Sequence, residues 1–132
     1  MSMQNRDSQN DVVISFHDGY LHITHPDNFV LLSKDLDALW QNLFEACRQY
    51  KSNRVLNEGN IDLSKLRAFD SYSAGTKAGE IEGLRMACLF PDFEPDERAE
   101  FFKTVASNRG AMVEFFTDRR VALKWLGVSG SA

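Results

Sequence analysis

At 132 residues, with 43% hydrophobic and 26% charged residues, the chain has the make-up of one ordinary globular domain, able to bury a core without disulfides or structural metal. A formal net charge of −4 sets the field of the whole molecule against phosphate backbones, so no nucleic-acid role is expected. Cys47 and Cys88 are the only cysteines; neither belongs to a C-x-x-C pair or a metal-spaced set, and both read as reduced core residues.

Residues 1–10 are polar and are expected to be disordered, as are residues 128–132; everything between reads as a single domain. No apolar run opens the chain as a secretory signal would, and no later stretch approaches the roughly 18 apolar residues of a membrane span, so a cytoplasmic protein without integral membrane association is expected. Two β-rich runs at 12–16 and 20–24 flank Asp18-Gly19, a dipeptide suited to the positive φ of a tight hairpin turn. Ser33 is placed to accept backbone N–H bonds at the start of a helix over 34–50. There Leu36, Leu39, Trp40, Leu43, Phe44 and Cys47 recur every three or four residues, the signature of one buried stripe.

A short strand is predicted in "RVLNEGNI", and "DLSKLRAFDSYSAGTKAGE" reads as mostly helical, with Leu63, Leu66 and Phe69 on one side. If Asp62 or Ser64 caps that helix, Ser71 and Ser73 lie two turns inside it, beyond the reach of the helix dipole. Gly75 and Gly79, like Ala74 and Ala78, are four apart and make a smooth ridge for close approach to the sheet or to a second subunit. Residues 82–91 form a further strand ended by Pro91. Glu94 and Pro95 open a third helix, which Gly110 terminates. "AMVEFF" is the last strand, in which Phe115 and Phe116 face opposite sides. Thr117 or Asp118 caps a final helix ending at Gly127.

The order is therefore β-β-α-β-α-β-α-β-α, an α/β fold with a mostly parallel mixed sheet of about five strands packed with helices. Binding sites in such sheets lie at the carboxyl ends of strands, here near residues 57–61, 91–93 and 117. His22 and His25 fall on opposite faces of the strand, so with His17 they read as surface or edge histidines and no metal is expected. No phosphate-cradling glycine motif or Gly-x-Ser-x-Gly element occurs, which argues against an enzyme with a catalytic residue of those types.

"IDLSKLRAFDSYSAG" resembles the segment of STAS domains, the anti-sigma-factor antagonists, in which Asp-Leu-Ser leads to Asp-Ser-Ser-Gly at a helix start. "ASNRGAMVEFFTDRRVALKWLG" looks like the closing strand and helix of the SpoIIAA-like (STAS/SEC14-like) group. With the hairpin and long first helix, the resemblance spans about residues 12–127. It implies a compact α/β domain that acts by binding another protein or a second copy of itself, with no cofactor. It further implies a phosphorylated serine at the helix start, through which charge controls partner release. Asp70 and Ser71 match the first two motif positions, the phosphoacceptor position falls on Tyr72, and Ser73 fits after a one-residue insertion; Asp70, Ser71 and Ser73 are the candidate phosphoacceptor or partner-binding residues. Related lipid-transfer proteins share this layout, so the alternative is a carrier of a small apolar ligand. Phe93 and Phe101 are candidates for the ligand or interface. An exposed patch there favours association, and an enclosed cavity above roughly 300 Å³ favours a ligand.

Overall fold

The computed structural model describes residues 4–7 and 12–128. In chain order the elements are β1 (Gln4–Asp7), β2 (Val12–His17), β3 (Tyr20–Thr24), β4 (Phe29–Val30), α1 (Ser33–Tyr50), β5 (Arg54–Glu58), β6 (Ile61–Asp62), α2 (Ala68–Gly79), β7 (Arg85–Leu89), α3 (Glu97–Asn108), β8 (Met112–Phe116) and α4 (Arg119–Leu126). Six strands form a mixed sheet in the order β1-β2-β3-β5-β7-β8, while β4 and β6 pair separately. The pairs from β3 to β8 are parallel and the β2–β3 hairpin is antiparallel. This is the α/β class expected, with one strand more. Gln4–Asp7, inside the segment expected to be disordered, pairs antiparallel with β2 and satisfies backbone groups that an edge strand would leave open. Residues 1–3, 8–11 and 129–132 lie outside the described residues.

Each crossover from β3 to β5, β7 and β8 moves one place in the same direction, so α1, α2 and α3 cover one face of the sheet. The strand side chains pointing to that inner face include Ile14, Leu21, Ile23, Val55, Met86, Cys88 and Val113, clustered with Leu36, Trp40 and Leu43 of α1. The alternate residues Leu56, Ala87 and Leu89 pack on the outer face against Ala122, Leu123 and Leu126 of α4. Phe115 joins the inner cluster and Phe116 the outer one, as strand alternation requires.

Several local expectations are corrected. Ser33 does not accept backbone bonds at the start of α1. It is the first helical residue and donates through Oγ to Asp70 Oδ2 at 2.8 Å, while Asp35 Oδ2 accepts from Leu32 N. The second helix begins at Ala68, not near residue 62. Asp62 Oδ1 accepts from Ser64 N, and Leu66 N bonds Leu63 O, turning the chain before the helix. Arg98 fixes that turn from a distance, its Nη1 donating to the carbonyls of Leu63, Ser64 and Leu66. Phe69 consequently points outward at 75% exposure. The third helix starts at Glu97, with Asp96 Oδ1 rather than Pro95 marking its entry by accepting from Ala99 N. Asp118 caps α4, accepting from Arg120 N and Val121 N.

The glycine ridge packs on α3. A Cβ on Gly75 would lie 2.6 Å from Val105 Cβ, and one on Gly79 would lie 2.5 Å from Arg109 Cβ. The constant offset of thirty residues shows that α2 and α3 run side by side in the same direction. No helix among the described residues is long and apolar enough to cross a membrane.

Candidate functional site

Two neighbouring rows of inner-face side chains cross the sheet. Strand register aligns Phe16, Leu21, Val55, Met86 and Val113 in one row, and Ile14, Ile23, Asn57, Cys88 and Phe115 in the next, nearer the carboxyl ends of the parallel strands. The first row is wholly apolar. The second forms the floor of a cavity of about 540 Å³, whose roof comes from α1, α2 and α3 through residues such as Leu36, Trp40, Leu43, Ala74, Ala99 and Phe102. Its walls are largely apolar, the arrangement a small-molecule site requires. A smaller cavity of about 360 Å³ lies beside it, lined by residues including Val30, Leu63, Phe90 and Phe93. Both are lined in part by residues at the strand ends that the topology predicts, Ile61 and Phe90 in each, with Asn57 in the larger and Phe93 in the smaller.

Aromatic packing shapes the α3 end of the larger cavity. Phe115 meets Phe90 and Phe102 edge-on and stacks on Phe93 at 4.5 Å between ring centroids, while Phe102 turns its edge to Trp40.

The polar groups on the floor pair with one another, His25 Nδ1 excepted. His25 Nε2 donates to Asn57 Oδ1 at 2.7 Å, and Asn57 Nδ2 reaches Cys88 Sγ at 3.8 Å. Burial lowers the His25 pKa below the ordinary imidazole value, outweighing the Asn57 hydrogen bond, so the ring is neutral near pH 7. With the proton on Nε2, Nδ1 is an acceptor; it is enclosed and has no partner among the described residues. His25 thus departs from the surface or edge role expected. Gly59 makes room for it: a Cβ there would meet His25 Cβ at 3.0 Å. Burial also pushes the Cys47 and Cys88 thiols up to about 12, keeping both protonated.

Asp70 and Ser71 stand at the start of α2 and line the same cavity, at 7% and 5% exposure. Asp70 is the third helical residue; its Oδ2 accepts from Arg67 N at 2.8 Å and from Ser33 Oγ, joining the first turns of α1 and α2. Ser71 is the fourth helical residue, so it lies near the helix start and not two turns inside. Its hydroxyl has no hydrogen-bond partner among the described residues. Ser73 is half-buried on the same helix. Phe93 is half-buried against Phe115, whereas Phe101 is 41% exposed on α3 and its neighbour Phe102 takes the place in the cavity.

On the outer face, His22 Nε2 lies 2.7 Å from Glu58 Oε1, which Arg119 also contacts. Burial lowers the His22 pKa, opposed by Glu58. Ser15 Oγ is 3.0 Å from His17 Nε2, but His17 is exposed and neither residue lines a cavity described above. Among the described residues that pair has neither the third, orienting group nor the enclosure that nucleophilic catalysis uses. Among the described residues no three His, Cys, Asp or Glu side chains converge as a metal set.

Sequence patterning pointed to the strand ends but missed His25, Asn57, Cys88, Trp40 and Phe102 as neighbours. The available signal was polarity at Asn57 within an otherwise buried strand run.

No protein-family model matches the chain, and no curated protein matches it. Among solved structures, it is similar to an uncharacterised protein of the DUF3478 family from Shewanella loihica PV-4, described as having a SpoIIAA-like fold: 22% identity, 96% of this chain and 92% of that one covered, TM-score 0.43.

Proposed function

We propose that this chain is a non-enzymatic binding domain that takes a small apolar molecule into the cavity beneath α1, α2 and α3. The observation carrying this reading is the cavity itself, about 540 Å³ with largely apolar walls, well above the size that favours a ligand over simple core packing. A ligand filling an apolar space of that size gains dispersion contacts with every wall. Native mass spectrometry of freshly purified protein, followed by solvent extraction, is expected to recover a retained small molecule. Stripped protein is expected to bind the neutral dye Nile red, and Ala74→Trp, which places an indole in the cavity, is expected to remove that binding. Dye binding that survives in a folded Ala74→Trp variant places the ligand elsewhere and refutes the reading.

A regulatory or adaptor role in binding another protein, or a second copy, is the other reading. It is favoured by Phe69, Tyr72 and Phe101, exposed at 75%, 44% and 41% on the paired helices α2 and α3. Phosphorylation of Ser71 requires this helix start to open, since the hydroxyl sits within the cavity wall; Ser73 is the more accessible acceptor. Sedimentation equilibrium across a concentration series tests self-association: a dimer weakened by Phe101→Ser supports it, and a monomer throughout rejects it.

A further inference from the structure

Resting on the reading of the cavity as a ligand site, the charges around it restrict the ligand's chemistry. The cation among its described lining residues is Arg98. Two of its three guanidinium nitrogens are occupied, Nη1 on the carbonyls of Leu63, Ser64 and Leu66 and Nη2 on Asp96. The charged side chains otherwise lining the space are acids, with Asp70 the buried one. A helix start attracts anions, but at α2 the Asp70 carboxylate already fills that position by accepting from Arg67 N. A ligand carboxylate at the start of α2 would therefore lie beside the Asp70 carboxylate, with the lining cation already paired to Asp96, an arrangement that burial penalises heavily.

The start of α2 instead offers hydrogen-bond acceptors. Both hydrogen bonds made by the Asp70 carboxylate fall on Oδ2, leaving Oδ1 without a partner among the described residues. The Ser71 hydroxyl beside it is likewise free and can accept. We infer that the cavity selects apolar molecules whose polar end donates a hydrogen bond, with a hydroxyl as the simplest case, and rejects anionic ones such as fatty-acid carboxylates.

Three probes of equal chain length separate the contributions: 1-decanol, its methyl ether, and decanoate, each titrated into stripped protein by displacement of Nile red at neutral pH. Decanol is expected to bind at least about tenfold more tightly than decanoate and several-fold more tightly than the ether, which keeps the oxygen but cannot donate. Asp70→Asn exchanges a free acceptor for an amide donor and should collapse the alcohol-to-carboxylate ratio toward one. Ser71→Ala, which leaves the Asp70 bonds intact, should weaken decanol by at least as much as the ether, whose oxygen can accept from the serine hydroxyl. Decanoate or the ether binding as tightly as decanol to the native protein overturns the inference while leaving the cavity reading standing. Failure of Nile red and all three probes to bind overturns both.

Discussion

Gly75→Ala sets two effects of opposite sign against each other. In a helix interior, alanine is favoured over glycine by about 1 kcal/mol, so on an uncrowded helix the substitution stabilises. Here the new methyl would lie 2.6 Å from Val105 Cβ, 2.7 Å from Val105 Cγ1 and 3.0 Å from the Ala106 backbone nitrogen. Carbon atoms rest at about 3.5–4.0 Å, so α2 and α3 must separate by nearly an ångström at their closest point. Overpacking of this kind typically costs about 1–3 kcal/mol; contact with backbone as well as with a stiff β-branched side chain puts Gly75 at the upper end. Subtracting the propensity gain leaves a net loss of about 2 kcal/mol, a fall in melting temperature of roughly 6–10 °C for a domain of this size. Urea denaturation measures it directly. Gly75→Ala with Val105→Gly should be less destabilised than the sum of the two single variants by at least about 1 kcal/mol, because the second change removes both Val105 carbons that the new methyl meets. A stabilised Gly75→Ala variant, or simple additivity in the pair, would refute the close helix contact.

Burial holds His22 and His25 below their ordinary pKa, so below about pH 6.5 the unfolded chain binds more protons than the folded one and stability declines as pH falls. Urea midpoints at about pH 7.5 and pH 5.5 should show a smaller drop for His25→Gln than for the native chain; an unchanged drop excludes His25 as a source. Asp70→Ala removes bonds to Ser33 Oγ and Arg67 N and should cost about 1–3 kcal/mol, with Ser33→Ala adding little on top; full additivity by denaturation would show that the two residues act separately. Cys47 and Cys88, with thiols near 12, should resist maleimide at mildly alkaline pH until the protein is unfolded, and rapid native labelling by mass spectrometry would contradict their placement. Asn57→Leu strands the His25 Nε2 proton and should cost about 1–3 kcal/mol, whereas His25→Leu with Asn57→Leu should recover most of that loss; a double variant as unstable as the single one would refute the pairing.

The parts of the fold legible in the sequence are those fixed by local pattern. The stripe from Leu36 to Cys47 needs only helical spacing to appear, and it yields α1 almost to the residue. Asp118 also follows a local rule, since a carboxylate accepting the first free N–H groups marks a helix start wherever it occurs. The beginning of α2 depends instead on Arg98, more than thirty positions away, which holds the carbonyls of Leu63, Ser64 and Leu66 out of a helix. No window of local sequence contains that interaction. The ridge of small residues was legible as a contact surface, but its partner α3 follows from the direction of the crossovers. The cavity is harder still, because it is an absence of packing: each lining residue is an ordinary core type, and only strand register brings His25, Asn57 and Cys88 to one floor.

Those two rows across the sheet also explain why the cavity is where it is. In the row Phe16, Leu21, Val55, Met86 and Val113 every position is apolar, and three of the five are beyond the reach of solvent or nearly so. One step toward the carboxyl ends, Asn57 and Cys88 occupy the two middle strands of the parallel set, β5 and β7, where leucine or isoleucine would project farther into the space beneath the helices. The chain instead places there an amide and a thiol that bond each other, with His25 closing the set and Gly59 left without a side chain so that the imidazole can enter. A buried polar group contributes less to stability than a well-packed apolar one, and four choices at one end of the sheet run against packing. The same end carries Asp70 and Ser71 on the facing helix, each with an unused acceptor. Polar substitution concentrated on one layer of an otherwise apolar core is the pattern expected when that layer must accommodate a molecule that comes and goes.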